Sequence, residues 1–252
     1  MLNYNLLQRL RISIGKIPGA RTSYNFLRLL FAPTYREDGL ATVHNCDFLK
    51  NKQFLKAYHA ASRLHPNMDI RWRVHVTQWA GWHAARLLGD FVECGVNRAF
   101  LSSSVIDFIE FDKVVDRKFY LFDTYCGLVE SQISPHDRAA YRNHYEDTYQ
   151  FVLSHFKHNH NINIIRGIVP DSLETVNIEQ VAYLSIDMNC AAPELAALEF
   201  FWPKMVSSGI IILDDYGFSG HEEQKRIADN FAEKQGVKVL SLPTGQGLLI
   251  KS

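Results

Sequence analysis

From Asp90 to the C-terminus, short β-branched apolar runs alternate with longer helical patterns, and that alternation leaves the chain few folds to adopt. The runs span Asp90 to Val96, Lys118 to Thr124, Ile162 to Arg166, Val181 to Met188, Gly209 to Asp215, Val237 to Leu242 and Leu248 to Lys251. Strands separated by helical lengths of chain pair in parallel. Only SLPTGQG joins the last two, which is too short for a crossover helix, so they must pair antiparallel as a hairpin. The expectation is an α/β fold whose seven-stranded, mainly parallel sheet ends in a C-terminal antiparallel hairpin, a departure from the plain dinucleotide-binding arrangement.

Upstream of Asp90, RWRVHVTQWAGWHAARLLG places Trp72, Val76, Trp79 and His83 at helical steps on one face and predicts a helix leading into the first strand. Residues 1 to about 65 carry Pro18, Pro33, Gly39 and a polar stretch from Tyr35 to Asn45, the pattern of short helices and loops. Residues 1–70 therefore read as an N-terminal helical cap and 71–252 as the active domain. The basic, amphipathic start fits packing on the domain or on a second subunit better than lying on a membrane surface, and a homo-oligomer is expected. Nowhere do eighteen or so apolar residues run uninterrupted, so neither a transmembrane segment nor a secretory signal is expected.

Lys plus Arg equals Asp plus Glu at 27 each, a balance that gives no field for a phosphate backbone and argues against nucleic acid as a partner. Cys46, Cys94, Cys126 and Cys190 lie far apart without a CxxC pair, which points to reduced thiols and a cytoplasmic location.

The strand ends carry the chemistry. GDFVECGVNRAF is a buried strand closing on Glu93 and Gly95 before a helix opens, and ligands of open α/β sheets sit at that edge. Gly95 lets backbone approach a ligand, and Glu93 places a carboxylate where a sulfonium or ammonium is welcome. GxGxxG is absent, which disfavours a pyrophosphate and with it a nicotinamide dehydrogenase. KFYLFDT ends in Asp123, a carboxylate able to accept both hydroxyls of a ribose. The alternative, that Glu93 and Asp123 merely cap helices, stays open.

YLSIDMN and IIILDDYG end in Asp187 and in Asp214 with Asp215. Neighbouring strands would bring these three acids to one mouth, where unpaired they would repel, so a hard cation, magnesium or alternatively calcium or manganese, is expected there. Such an ion can hold two neighbouring hydroxyls and acidify one of them.

Together FVECGV, LFDTYCGL, IIRGIVPDSL, YLSIDMN and GIIILDDYG resemble the TylF/MycF/NovP-type (macrocin O-methyltransferase-like) enzymes, over roughly Trp72 to the C-terminus. The resemblance implies a Rossmann-like class I methyltransferase fold and transfer of a methyl group from S-adenosylmethionine to a hydroxyl of a sugar or sugar-bearing natural product. It places Glu93, Gly95 and Asp123 against S-adenosylmethionine and gives Asp187, Asp214 and Asp215 to magnesium. Cys94, Ser102, Thr124, Gly167, Asp171 and Asp187 complete the expected cofactor site. Two positions depart from the family pattern. Asn189 stands where a second Asp, a candidate base, is usual, and an amide cannot take a proton. Ala99 and Phe100 replace a glycine-rich continuation. Either the metal alone acidifies the hydroxyl or His221 in YGFSGHEEQK serves as base, so Asp187 and His221 are the expected catalytic residues.

His221 also reads as part of a helix start that Ser219 could cap, with Glu222 and Glu223 suiting the dipole; Gln224, Lys225, Thr244 and Gln246 could reach the same mouth. His144, His155, His158 and His160 show no zinc spacing. Tyr145, Tyr149, Val152 and Phe156 recur at helical spacing and read as a packing stripe. A catechol-like acceptor, or a non-catalytic binding protein on the same fold, are the rival readings.

Overall fold

The computed structural model describes residues 19–66, 68–114, 116–133 and 145–252. The chain divides into a unit of Met1–Leu49 and a unit of Lys50–Ser252. The start of the amphipathic N-terminal segment, Pro18 included, lies outside the described residues, as do His144 and Tyr141.

In the first unit, helix α1 (Ala20–Phe31) precedes a small hairpin of β1 (Tyr35–Glu37) and β2 (Leu40–Thr42). Asp38 and Gly39 both take positive φ, 50° and 72°, the conformation that a tight two-residue hairpin turn requires. Arg36 donates to the carbonyls of Leu29 and Leu30, satisfying the open C-terminal end of α1.

In the second unit, α2 (Lys52–Ser62) begins at Asn51, whose side chain accepts from the Phe54 amide at 3.0 Å. It buries Phe54, Ala57, Tyr58 and Ala61, one helical stripe, against α4 (Phe100–Ile109). Helix α3 (Arg71–Ala84) leads towards the first sheet strand, as its sequence predicts. The face it buries is not the tryptophan face. Val74, Thr77, Gln78, Gly81 and Ala84 point inward, while Trp79 and Trp82 are 44% and 45% exposed. Small residues win here because α4 crosses close by: a Cβ on Gly81 would lie 2.4 Å from a Val105 methyl.

The sheet has the order β5-β4-β3-β6-β7-β9-β8, built from β3 (Asp90–Cys94), β4 (Phe119–Asp123), β5 (Ile162–Arg166), β6 (Val181–Ile186), β7 (Met205–Leu213), β8 (Leu240–Ser241) and β9 (Gly247–Ile250). β3 to β7 run parallel, and β9 pairs antiparallel with both β7 and β8. The fold is the expected Rossmann-like one. Edge strand β8 is shorter than its sequence suggests, because Val237 and Val239 pack inward on the core instead of extending the ladder.

Both faces of the sheet are buried, as parallel sheets require. Val92, Phe122, Leu184 and Ile211 face α6 (Ala191–Phe201) and α7 (Glu222–Lys234), meeting Phe201 and Phe231. Their alternates Phe91, Leu121, Tyr183 and Ile210 face α3, α4 and α5 (Tyr149–His155). Each such large apolar side chain stabilises the fold by about 1.5–3 kcal/mol. Ser219 does not cap α7. The cap position is His221, without a side-chain cap bond, and Glu222 accepts from the Gly220 amide at 3.0 Å. Of the expected packing stripe, Val152 and Phe156 are core residues, whereas Tyr145 precedes α5 and lies in the cleft described next.

Candidate active site

Four strands end side by side at the carboxyl edge. The Gly95 amide donates to Phe122 O at 2.9 Å, the Asp187 amide to Cys94 O at 2.8 Å and the Asp214 amide to Ile186 O at 3.0 Å. Gly95 has φ +89°, and a Cβ there would stand 1.8 Å from the Asp187 carbonyl oxygen, so only glycine fits where these two strand exits cross.

A cleft lies along this edge, with about 790 Å³ of empty space when its open mouth is counted. Gly95, Asp123, Thr124, Gly167 and Asp187 line it. The Asp123 carboxylate is fixed from three sides, accepting from the amides of Val96 at 2.6 Å, Asn97 at 2.8 Å and Tyr125 at 2.6 Å. The Thr124 hydroxyl donates to Oδ1 at 3.3 Å, the longest bond of the set and the one a ligand hydroxyl would displace. The other expected cofactor residues lie elsewhere. Glu93, Cys94 and Ser102 are buried beneath the edge, and Asp171 is exposed at the start of a short turn, Asp171–Thr175.

Burial pushes the Glu93 carboxyl up to about 8; a bond from Ser102 opposes the shift, and the charges of Asp214 and Asp123 add to it. Its Oε2 has no hydrogen-bond partner among the described residues. At neutral pH this acid is largely protonated. Sequence reasoning missed Leu128, Val129, Gln132 and Pro193, which also line the cleft, and it read Tyr145, another lining residue, as part of a packing stripe. Gln132, Val129 and Leu128 come from the loop after β4, where no periodicity marks them.

Asp187 belongs both to the cleft and to the acid cluster. One oxygen each of Asp187, Asp214 and Asp215 lie within 4.8 Å of one another. Burial, then the charges of Asp214 and Asp215, push the Asp187 carboxyl far above the ordinary range, while the Arg73 charge works against that rise. Three oxygen donors this close fit a hard divalent cation. Asn189, at φ +57°, donates from Nδ2 to Asp187 Oδ1 at 3.3 Å, so its amide adds a donor where an acid would add a fourth like charge.

His221 Nδ1 lies 3.7 Å from Asp215 Oδ2 and 2.8 Å from Gln224 Nε2. Gln246 donates to Asp214 at 2.8 Å and accepts from Thr244 at 3.0 Å. Lys225 turns away, bonding Asp229 at 2.6 Å and the Tyr216 hydroxyl at 2.8 Å. Ala99, in the loop after β3, takes φ +61° where a glycine would be unstrained.

Sheet order, terminal hairpin and a ligand cleft at the carboxyl edge define a Rossmann-like methyltransferase fold. Residues 80–240 match the family described as Macrocin-O-methyltransferase (TylF). The chain belongs to that family and is an O-methyltransferase. Solved structures agree in fold. The O-methyltransferase NovP superposes with a TM-score of 0.61 at 18% identity, covering 71% of this chain and 79% of that one. The calicheamicin methyltransferase CalS11 gives 0.58 at 16%, covering 82% and 94%. An O-methyltransferase from Bacillus cereus in complex with SAH gives 0.52 at 13%, covering 91% and 97%. Comparison with curated proteins by sequence returns no match.

Proposed function

We propose that this chain transfers a methyl group from S-adenosylmethionine to a hydroxyl of a sugar or sugar-bearing small molecule, with magnesium held at Asp187, Asp214 and Asp215. The observation that carries this reading is that the cleft and the acid cluster share Asp187, which sets a donor site and a cation site side by side. NovP and CalS11, two of the structural neighbours, are methyltransferases, and a second structure of CalS11 describes it as a TDP-rhamnose 3'-O-methyltransferase. The SAH seen in the Bacillus cereus protein supports the choice of donor.

Asp123 accepts the ribose hydroxyls, Gly95, Thr124 and Gly167 leave backbone and small side chains against the nucleoside, and Asp187 faces the methionine end. Glu93, Cys94 and Ser102 act from below by fixing the strand tip. Magnesium supplies one thing when bound: it withdraws electrons from a hydroxyl and lowers its pKa. His221 takes the proton. Gln224 lies 2.8 Å from Nδ1 of His221, and with its amide turned its buried Oε1 accepts from Nδ1–H and fixes the ring.

The exposed Phe26, Leu27, Leu30 and Phe31 of α1 support a homo-oligomer, and the four free thiols support a cytoplasmic location. Among the described residues no helix is long and apolar enough to cross a membrane. Residues 1–70 then form the cap and 71–252 the transferase domain.

Calorimetric titration of S-adenosylmethionine, with and without magnesium, tests the donor site. Wild type should bind, Asp123→Ala should not, and Asp187→Ala with Asp215→Ala should remove a separate magnesium signal. Absence of binding to the wild type would refute the reading. A monomer by light scattering at micromolar concentration would refute the oligomer.

A further inference from the structure

Asp214 is the deepest acid of the cluster, 2% exposed, and both of its oxygens already hold donors. Arg73 Nη1 sits 2.5 Å from Oδ2, and Gln246 Nε2 sits 2.8 Å from Oδ1. The guanidinium is itself largely enclosed and lies over the Phe218 ring, 4.6 Å from its centroid. Packing on an aromatic face and ion pairing with a buried carboxylate together fix its position. Gln246, fully buried and braced by Thr244, clamps the other side of the same carboxylate. The acidic pocket thus contains a positive charge supplied by the chain, brought from α3 to the tip of β7.

We propose that Arg73 is the internal cation of this pocket and that a divalent ion binds there in competition with it. Magnesium demands near-octahedral oxygen geometry, and the third carboxylate joins its shell only as Arg73 gives up Asp214 Oδ2. Arg73 is therefore a positioning residue that sets metal affinity: it holds Asp214 in place and keeps the free protein's hold on the ion weak. The inference rests on the metal reading given above.

The test measures binding rather than turnover. Manganese affinity is read from the electron paramagnetic resonance of the free ion, on the full chain, for wild type, Arg73→Met and Arg73→Lys. Arg73→Met should tighten binding at least about tenfold, because it removes a like charge a few ångström from the ion. Arg73→Lys keeps the charge but loses the guanidinium's packing on Phe218, so its affinity should fall between wild type and Arg73→Met. If Arg73→Met does not fold, the guanidinium nitrogen resonances of wild-type Arg73 provide the readout. They should shift and exchange faster as magnesium saturates the protein. Equal or weaker affinity in Arg73→Met, or unchanged resonances at saturation, overturns the role of Arg73 and leaves the metal site standing. Uptake of no manganese by wild type or either variant overturns the metal reading and this inference with it.

Discussion

Replacing Glu93 by Gln turns a buried acid into a group of the same shape that cannot ionise, and the effect on stability should depend on pH in a calculable way. The carboxyl rises from an ordinary 4.5 to about 8 in the fold, chiefly through burial. Below the lower value both folded and unfolded chains hold the proton, so the group is neutral to stability. Between the two values the folded chain holds it and the unfolded chain has released it. Stability therefore falls as pH rises through this window and levels above about 8. At about 1.4 kcal/mol per pH unit of full difference, wild type should lose roughly 3 kcal/mol from this one residue between pH 5 and pH 8. Glu93→Gln should lack that loss. Urea unfolding followed by tryptophan fluorescence at pH 5, 6.5 and 8 measures it, and the variant's advantage should grow with pH. A stability difference that stays the same at pH 5 and pH 8 would refute a neutral buried Glu93.

Other substitutions test other parts of the account. Gly95→Ala forces a Cβ to within 1.8 Å of the Asp187 carbonyl oxygen at a positive φ, so it should destabilise by more than about 3 kcal/mol or prevent folding, as judged by circular dichroism and melting. Asp123→Asn removes the charge that holds the amides of Val96, Asn97 and Tyr125, and calorimetry should show at least about tenfold weaker binding of S-adenosylmethionine. Asn189→Asp exchanges a donor 3.3 Å from Asp187 for a further acid and should tighten manganese binding, measured by titration of the free ion. Phe201→Ala, which empties a fully buried site between sheet and α6, should cost about 3–5 kcal/mol by chemical denaturation.

The sheet was legible because each central strand is buried on both faces and therefore reads as an unbroken apolar run, and because each run ends in an acid or glycine. The gathering of Asp187, Asp214 and Asp215 followed from strand adjacency, which the alternating pattern implies. What escaped depended on contacts between distant residues. Trp72, Val76, Trp79 and His83 made the more apolar stripe of α3, yet close crossing with α4 selected the stripe containing Gly81. Arg73 carries no local signal at all, for its partner Asp214 lies 141 positions away. Tyr145 shared the helical spacing of Val152 and Phe156, but the helix starts at Tyr149, and Tyr145, four residues earlier, falls into the cleft.

Methyl transfer itself is the most direct measurement. The full chain is supplied with S-adenosylmethionine labelled in its methyl group, a panel of nucleotide-linked sugars and catechols, and either magnesium or a chelator. Label in a sugar hydroxyl, dependent on magnesium and absent from Asp187→Ala, is the result predicted. Label in a catechol alone, or transfer to a sugar that persists undiminished in the chelator, would contradict it.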